Sequence, residues 1–173
     1  METITLAGGC FWCTEAIFSQ LKGVEKSIPG YSGGKTNNPT YEEVSSGNSG
    51  HAEVAQITFN PEIIPLKDLL YVFFKLHDPT TLNKQGADEG TQYRSAIFFE
   101  SGSQKETAQE VIRNIQNDYK NPIVTKVAKF KNFFPAEEYH KEYYFKNRNM
   151  PYCRLVIDPK IQKLKNEFAQ ILR

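Results

Sequence analysis

ETITLAGGCFWCTEAIFSQL, residues 2–21, contains the first turn of the fold and two of the chain's three cysteines. Ile4 and Leu6 alternate with threonines, which predicts a short strand over 2–6. The Gly8-Gly9 pair ends it. From residue 10 the spacing changes from two to between three and four, and Trp12, Ala16, Ile17 and Leu21 can share one side of a helix over 10–21. A strand, a glycine pair and a helix that opens on a cysteine place that cysteine among unpaired backbone N–H groups at the positive end of a helix. Such a position favours thiolate over thiol, so Cys10 reads as a nucleophile with a lowered pKa.

Outward from this unit, the pattern predicts a strand over 24–28 that stops at PGYSGG, then a long polar loop over 35–50. Alternation of Ala55, Ile57 and Phe59 predicts a strand over 53–59. An apolar helix follows over 66–76, then a second polar loop over 77–92 and a strand over 94–100. A helix over 103–119 turns Ala108, Val111, Ile112 and Ile115 inward. A strand over 123–130, a helix over 135–146 with Pro135 in its first turn, and a closing helix over 160–172 complete the chain. The order β-α-β-β-α-β matches the split β-α-β, or ferredoxin-like, arrangement. The expected fold class is therefore α+β: a two-layer sandwich with a mixed sheet, a ferredoxin-like core and a long C-terminal segment, in one domain over 1–173. The two long loops are site candidates, because loops of that length in a compact domain are uncommon unless functional.

The totals exclude several classes. With 21 basic and 20 acidic residues the net charge is +1, which gives no reason to expect nucleic acid or an anionic membrane. No apolar run is long enough to span a membrane, and no signal peptide is evident. Three cysteines are no disulfide framework; they fit a reducing, cytoplasmic compartment in which thiols are catalytic, metal-binding or buried.

The remaining candidates come from local chemistry. Phe11 and Trp12 beside an exposed nucleophile can form an apolar wall. Glu53 falls on the face of Ala55 and Ile57, where desolvation would raise a carboxyl pKa and make a general acid. Tyr31 in GYSGG and Tyr93 in GTQYRS offer hydroxyl donors. Asp88 and His51 are polar groups near loop ends. Cys153 is either a small buried hydrophobe or a partner of Cys10.

GGCFW, GYSGG, GHAEV, HDPT, NKQGADEGTQYRS and the PYC…VIDPK tail, in this order from about residue 4 to 160, resemble peptide methionine sulfoxide reductase of the A type. The resemblance implies reduction of methionine-S-sulfoxide, protein-bound or free, with no cofactor and no metal. Cys10 would attack the sulfoxide and become a sulfenic acid, Phe11 and Trp12 would hold the S-methyl group, and Glu53 would supply a proton to the oxygen. Tyr31 and Tyr93 would hydrogen-bond that oxygen, and Asp88 and His51 would line the site. Cys153, at the family's YC position, would resolve the sulfenic acid as a disulfide, which thioredoxin then reduces. Cys13 stands where the family more often has glycine. It is the rival resolver, either attacking directly as in CXXC motifs or taking the disulfide over from Cys153. Cys153 is expected first, in a monomer. Two other readings are a thioredoxin-like oxidoreductase using Cys10 and Cys13 alone, and a zinc module on the three cysteines and a histidine.

Overall fold

The computed structural model describes all 173 residues, Met1–Arg173. Strand β1 (Glu2–Gly8) runs two residues beyond the expected end and leads through Gly9 and Cys10 into helix α1 (Phe11–Phe18). Next come β2 (Val24–Ser32), a short helix α2 (Tyr41–Ser45) and β3 (Ala52–Phe59). Helix α3 (Leu66–Lys75) precedes a two-stranded ribbon, β4 (Lys84–Gln85) with β5 (Asp88–Glu89). Strand β6 (Ser95–Phe99), helix α4 (Gly102–Ile115), β7 (Lys126–Lys129) and β8 (Phe134–Pro135) follow. The chain ends with α5 (Tyr143–Lys146), a π-helical turn at Cys153–Ile157 and α6 (Asp158–Glu167).

Six strands form one sheet in the order β7-β6-β1-β3-β2-β8. The four central strands, β6-β1-β3-β2, pair antiparallel throughout, as a split β-α-β core requires. Only β7 joins in parallel, against β6, which makes the sheet mixed. One face of the sheet, through Ile4, Leu6, Ala55, Ile57 and Phe59, packs on residues of α1, α3, α4 and α6 in a single core that also contains all three cysteines. Burying each such aliphatic side chain contributes ~1.5–3 kcal/mol. On the opposite face, Ala7, Ala52, Val54, Ala96 and Phe98 are covered by Ala128, Phe130 and Phe133. No helix is long and apolar enough to cross a membrane.

Three local expectations are corrected. PGYSGG does not stop β2: Pro29, Gly30 and Tyr31 pair with Ala55, Val54 and Glu53 of β3. Gly30 is required there because a Cβ would lie 2.5 Å from both the Phe133 ring and the Phe134 carbonyl oxygen. Pro135 starts no helix; it pairs with Gly30 as part of the edge strand β8, where a missing N–H is tolerated. The first polar loop contains α2, which begins with a reciprocal capping box between Thr40 and Glu43.

Candidate active site

Cys10 is placed by the turn between β1 and α1. Gly9 has φ +96°, and a Cβ there would lie 2.7 Å from the Gln85 side chain, so the turn needs glycine twice over. Cys10 is the N-cap of α1, with φ −59° and ψ 128°, and is 9% exposed. Its carbonyl accepts the Cys13 N–H at 3.2 Å. The next free helix donor, the Phe11 N–H, is taken by Glu53 Oε1 at 3.1 Å.

Glu53 lies on the same strand face as Ala55 and Ile57, and it is 1% exposed. Its second oxygen, Oε2, is buried without any hydrogen-bond partner. Burial pushes its carboxyl up to about 8, against the pull of the Phe11 N–H and with help from the Asp88 and Cys13 charges. Glu53 therefore holds its proton at neutral pH, and an acid proton sits beside Cys10.

The expected lowering of the Cys10 pKa does not occur. Burial raises the Cys10 thiol well above its ordinary value, and its hydrogen bond to Cys13 and the Glu53 charge raise it further; only the Trp12 N–H opposes. The helix-end donor that would have favoured a thiolate serves Glu53 instead. The lowered thiol of the pair is Cys13. A hydrogen bond from the Cys10 side chain, the Lys160 ammonium and the Tyr152 hydroxyl lower it, and burial and Asp88 oppose them. Cys153 is fully buried, and its thiol is raised by burial and by the Cys13 charge. All three cysteines are free thiols buried in one core cluster.

Around Cys10 stands an aromatic wall. Phe11 is fully buried, with its ring 5.6 Å from Tyr31 and 5.0 Å from His140. Trp12 is half-buried. Its Nε1–H donates to His140 Nδ1 at 3.0 Å, its face stacks on Tyr143 at 3.7 Å and 9°, and Tyr152 meets its edge at 5.6 Å. Tyr31 is not a loop residue but the β2 partner of Glu53, and its hydroxyl donates to Glu137 Oε1 at 2.8 Å. Tyr93 is half-buried in a one-turn helix after β5. Its hydroxyl is raised by burial first, then by Glu53, Tyr41, Asp88 and Cys10, so it faces the same centre. Asp88 Oδ2 accepts the Tyr152 hydroxyl at 2.7 Å.

His51 is elsewhere. Its Nδ1 accepts the Gly34 N–H at 3.0 Å and its Nε2 meets the Thr36 carbonyl at 2.7 Å, so both ring nitrogens fasten the loop after β2. Nor do any three His, Cys, Asp or Glu side chains come together as a metal site.

Sequence reading missed Tyr41, Glu137, His140, Tyr143 and Tyr152. Burial first, then Glu53 and Cys10, push the Tyr41 hydroxyl up to about 12. The aromatic density of residues 138–145 and the tyrosine of PYC were visible signals. However, a helix expected over 135–146 hid which of these side chains return to α1.

A family model described as peptide methionine sulfoxide reductase matches residues 2–172. A peptide methionine sulfoxide reductase MsrA of Sulfolobus acidocaldarius is 53% identical over 168 residues, covering 97% of this chain and 96% of that protein. The crystal structure of Mxr1 from Saccharomyces cerevisiae in reduced form matches with a TM-score of 0.82 at 37% identity, over 88% of both chains. The structure of Mxr1 in complex with Trx2 matches at 0.58 and 30% identity, over 82% of this chain and 84% of that one.

Proposed function

The chain belongs to the peptide methionine sulfoxide reductase family, and from that premise we propose how its residues divide the work. The activity is thiol-dependent reduction of methionine sulfoxide to methionine, with thioredoxin as the disulfide reductant. The assignment rests most on one observation: Glu53, protonated and with a free buried oxygen, lies against the N-terminus of the helix that carries Cys10.

A sulfoxide sulfur is a poor electrophile until its oxygen is protonated or hydrogen-bonded. Glu53 gives its proton to that oxygen, and Tyr93 donates a hydrogen bond to it. Tyr31 acts from behind, because its hydroxyl is committed to Glu137. The Cys10 sulfur attacks the substrate sulfur. That attack forms an S–S bond as the thiol proton passes to Glu53; the protonated oxygen then moves to Cys10, so that the substrate S–O bond and the S–S bond both break and a Cys10 S–O bond forms. Methionine leaves, and Cys10 is a sulfenic acid. The S-methyl group rests against Phe11 and Trp12. Asp88, held by Tyr152, orients the substrate backbone.

Resolution goes first to Cys13. It lies in the first turn of the helix that Cys10 caps, with its N–H bonded to the Cys10 carbonyl at 3.2 Å. Its thiolate attacks the Cys10 sulfur, the hydroxyl leaves as water with the proton held by Glu53, and a Cys10–Cys13 disulfide forms. Cys153, buried in the same core cluster, then attacks at Cys13 and frees Cys10. This order reverses the expectation that Cys153 acts first, and the placement of Cys10 and Cys13 within one turn of α1 supports it. A reduced, cytoplasmic monomer of one domain fits the three free thiols.

The substrate is the S epimer. Incubated with a thioredoxin system and separated epimers, the protein is expected to convert methionine-S-sulfoxide and leave the R epimer untouched, since each epimer has its own enzyme class. Equal conversion of both epimers, or of neither, would refute the assignment.

A further inference from the structure

Glu15 ends the stretch GGCFWCTE and takes no part in the chemistry above. It lies one turn after Trp12 on α1 and is 4% exposed. Its two carboxylate oxygens accept the Glu142 backbone N–H at 2.9 and 3.0 Å, and the Tyr143 N–H also bonds to it. Glu142 has φ 55° and ψ 31°, a left-handed conformation that a non-glycine residue rarely adopts. This bend turns two successive N–H groups toward one carboxylate and delivers the Tyr143 ring onto the face of Trp12. The segment over 140–143 therefore meets α1 at four points: the Phe11–His140 ring contact, the Trp12–His140 hydrogen bond, the Trp12–Tyr143 stack, and Glu15. Glu15 is the only charged one.

We propose that Glu15 is a positioning residue whose carboxyl group grips the backbone at Glu142 and Tyr143, lays Tyr143 on Trp12 and so fixes the outer wall of the methyl pocket. This rests on the reading of Trp12 as a pocket wall.

The grip responds to pH. Burial raises Glu15 to about 7, with Glu142 adding to the rise, while the two N–H groups and Lys146 oppose it. Glu142 and Lys146 are the charges that face it; Ser27 of β2 donates to the Glu15 backbone carbonyl, not to its carboxyl group. Around the stack itself the titratable groups are His140, Tyr152, Cys10 and Cys153. A docked carboxyl that keeps its proton to about 7, against 4.5 in water, means that docking takes up a proton. The docked arrangement is therefore fully favoured below pH 4.5, weakens as pH rises from there to 7, where the docked carboxyl itself loses its proton, and above 7 stays weaker by ~300-fold in the docked-to-free ratio.

Trp12 is the single tryptophan of the chain, so its fluorescence reports the stack. Wild-type emission is expected to change with a midpoint near pH 7. Glu15→Gln, which imitates the protonated acid, should keep the low-pH spectrum across pH 5–9. Glu15→Ala should expose Trp12 to iodide quenching at every pH and raise KM for methionine sulfoxide about tenfold, with single-turnover kcat changed less than twofold and with KM restored in Glu15→Gln. A transition that persists in Glu15→Gln, or a midpoint below 6.5 as expected of the lowered His140, would overturn the proposal. So would an unchanged KM in Glu15→Ala. If Glu15→Ala fails to fold, the Glu15→Gln titration still decides. Wild type that reduces no sulfoxide would refute the functional reading instead, and the fluorescence titration would still judge Glu15.

Discussion

Replacing Cys10 with serine leaves a folded protein that forms no methionine. Serine is a favoured N-cap, so α1 retains its start and the melting temperature is expected to stay equal or rise. The chemistry does not survive, because an alcohol at this position is neither nucleophilic enough to attack a sulfoxide nor able to carry its oxygen to a disulfide. Single-turnover methionine production should fall at least ~10⁴-fold, in line with the loss seen when a covalent nucleophile is removed. Measurable turnover by Cys10→Ser would mean that another sulfur, Cys13 or Cys153, reacts with substrate.

The second large effect belongs to Glu53. Glu53→Gln keeps a hydrogen-bonding group on the buried side of β3 but has no acid proton to give. The first chemical step should slow by ~10³-fold, within the range of general acid catalysis, while disulfide exchange after it keeps its rate. The pH profile supplies the sign. Glu53 is raised to about 8 and acts in its protonated form, so the wild-type first-step rate is full below pH 8 and falls as pH rises through that value. Glu53→Gln should lack this falling limb. Rapid-quench measurement of methionine between pH 6 and 9.5 checks both points. A variant with the wild-type rate, or with the same limb, would place the acid elsewhere.

The order of elements around the first turn was legible in the sequence because it rests on local pattern. Ile4 and Leu6, then the glycine pair, then Cys10 describe a strand, a turn and a helix without reference to the rest of the chain. Alternation through Ala55 and Ile57 likewise located Glu53 on the buried face. Tertiary contacts reversed local signals elsewhere. Pro29-Gly30 reads as a turn, yet the strands on both sides, and the Phe133 ring where a Cβ would be, keep it in β2. Pro135 reads as a helix start, yet Gly30 pairs with it as a strand edge. The protonation of Cys10 was misread for a related reason. Helix position argued for a thiolate, but the relevant donor is occupied by a carboxylate 42 residues away, and burial outweighs what remains. His51, expected to line the site, has both ring nitrogens bonded to the backbone of the loop after β2.

The most direct test of the central claim, that Cys10 and Cys13 form the redox unit and Cys153 acts after them, is a reductant-free single turnover with excess methionine-S-sulfoxide. Methionine is counted and the disulfide is mapped by peptide mass in wild type, Cys13→Ser and Cys153→Ser. A Cys10–Cys13 bond trapped in Cys153→Ser at the wild-type rate, with a Cys13–Cys153 bond accumulating in wild type, is the predicted result. A Cys10–Cys153 bond that forms as fast in Cys13→Ser as in wild type would contradict it and make Cys153 the first resolver.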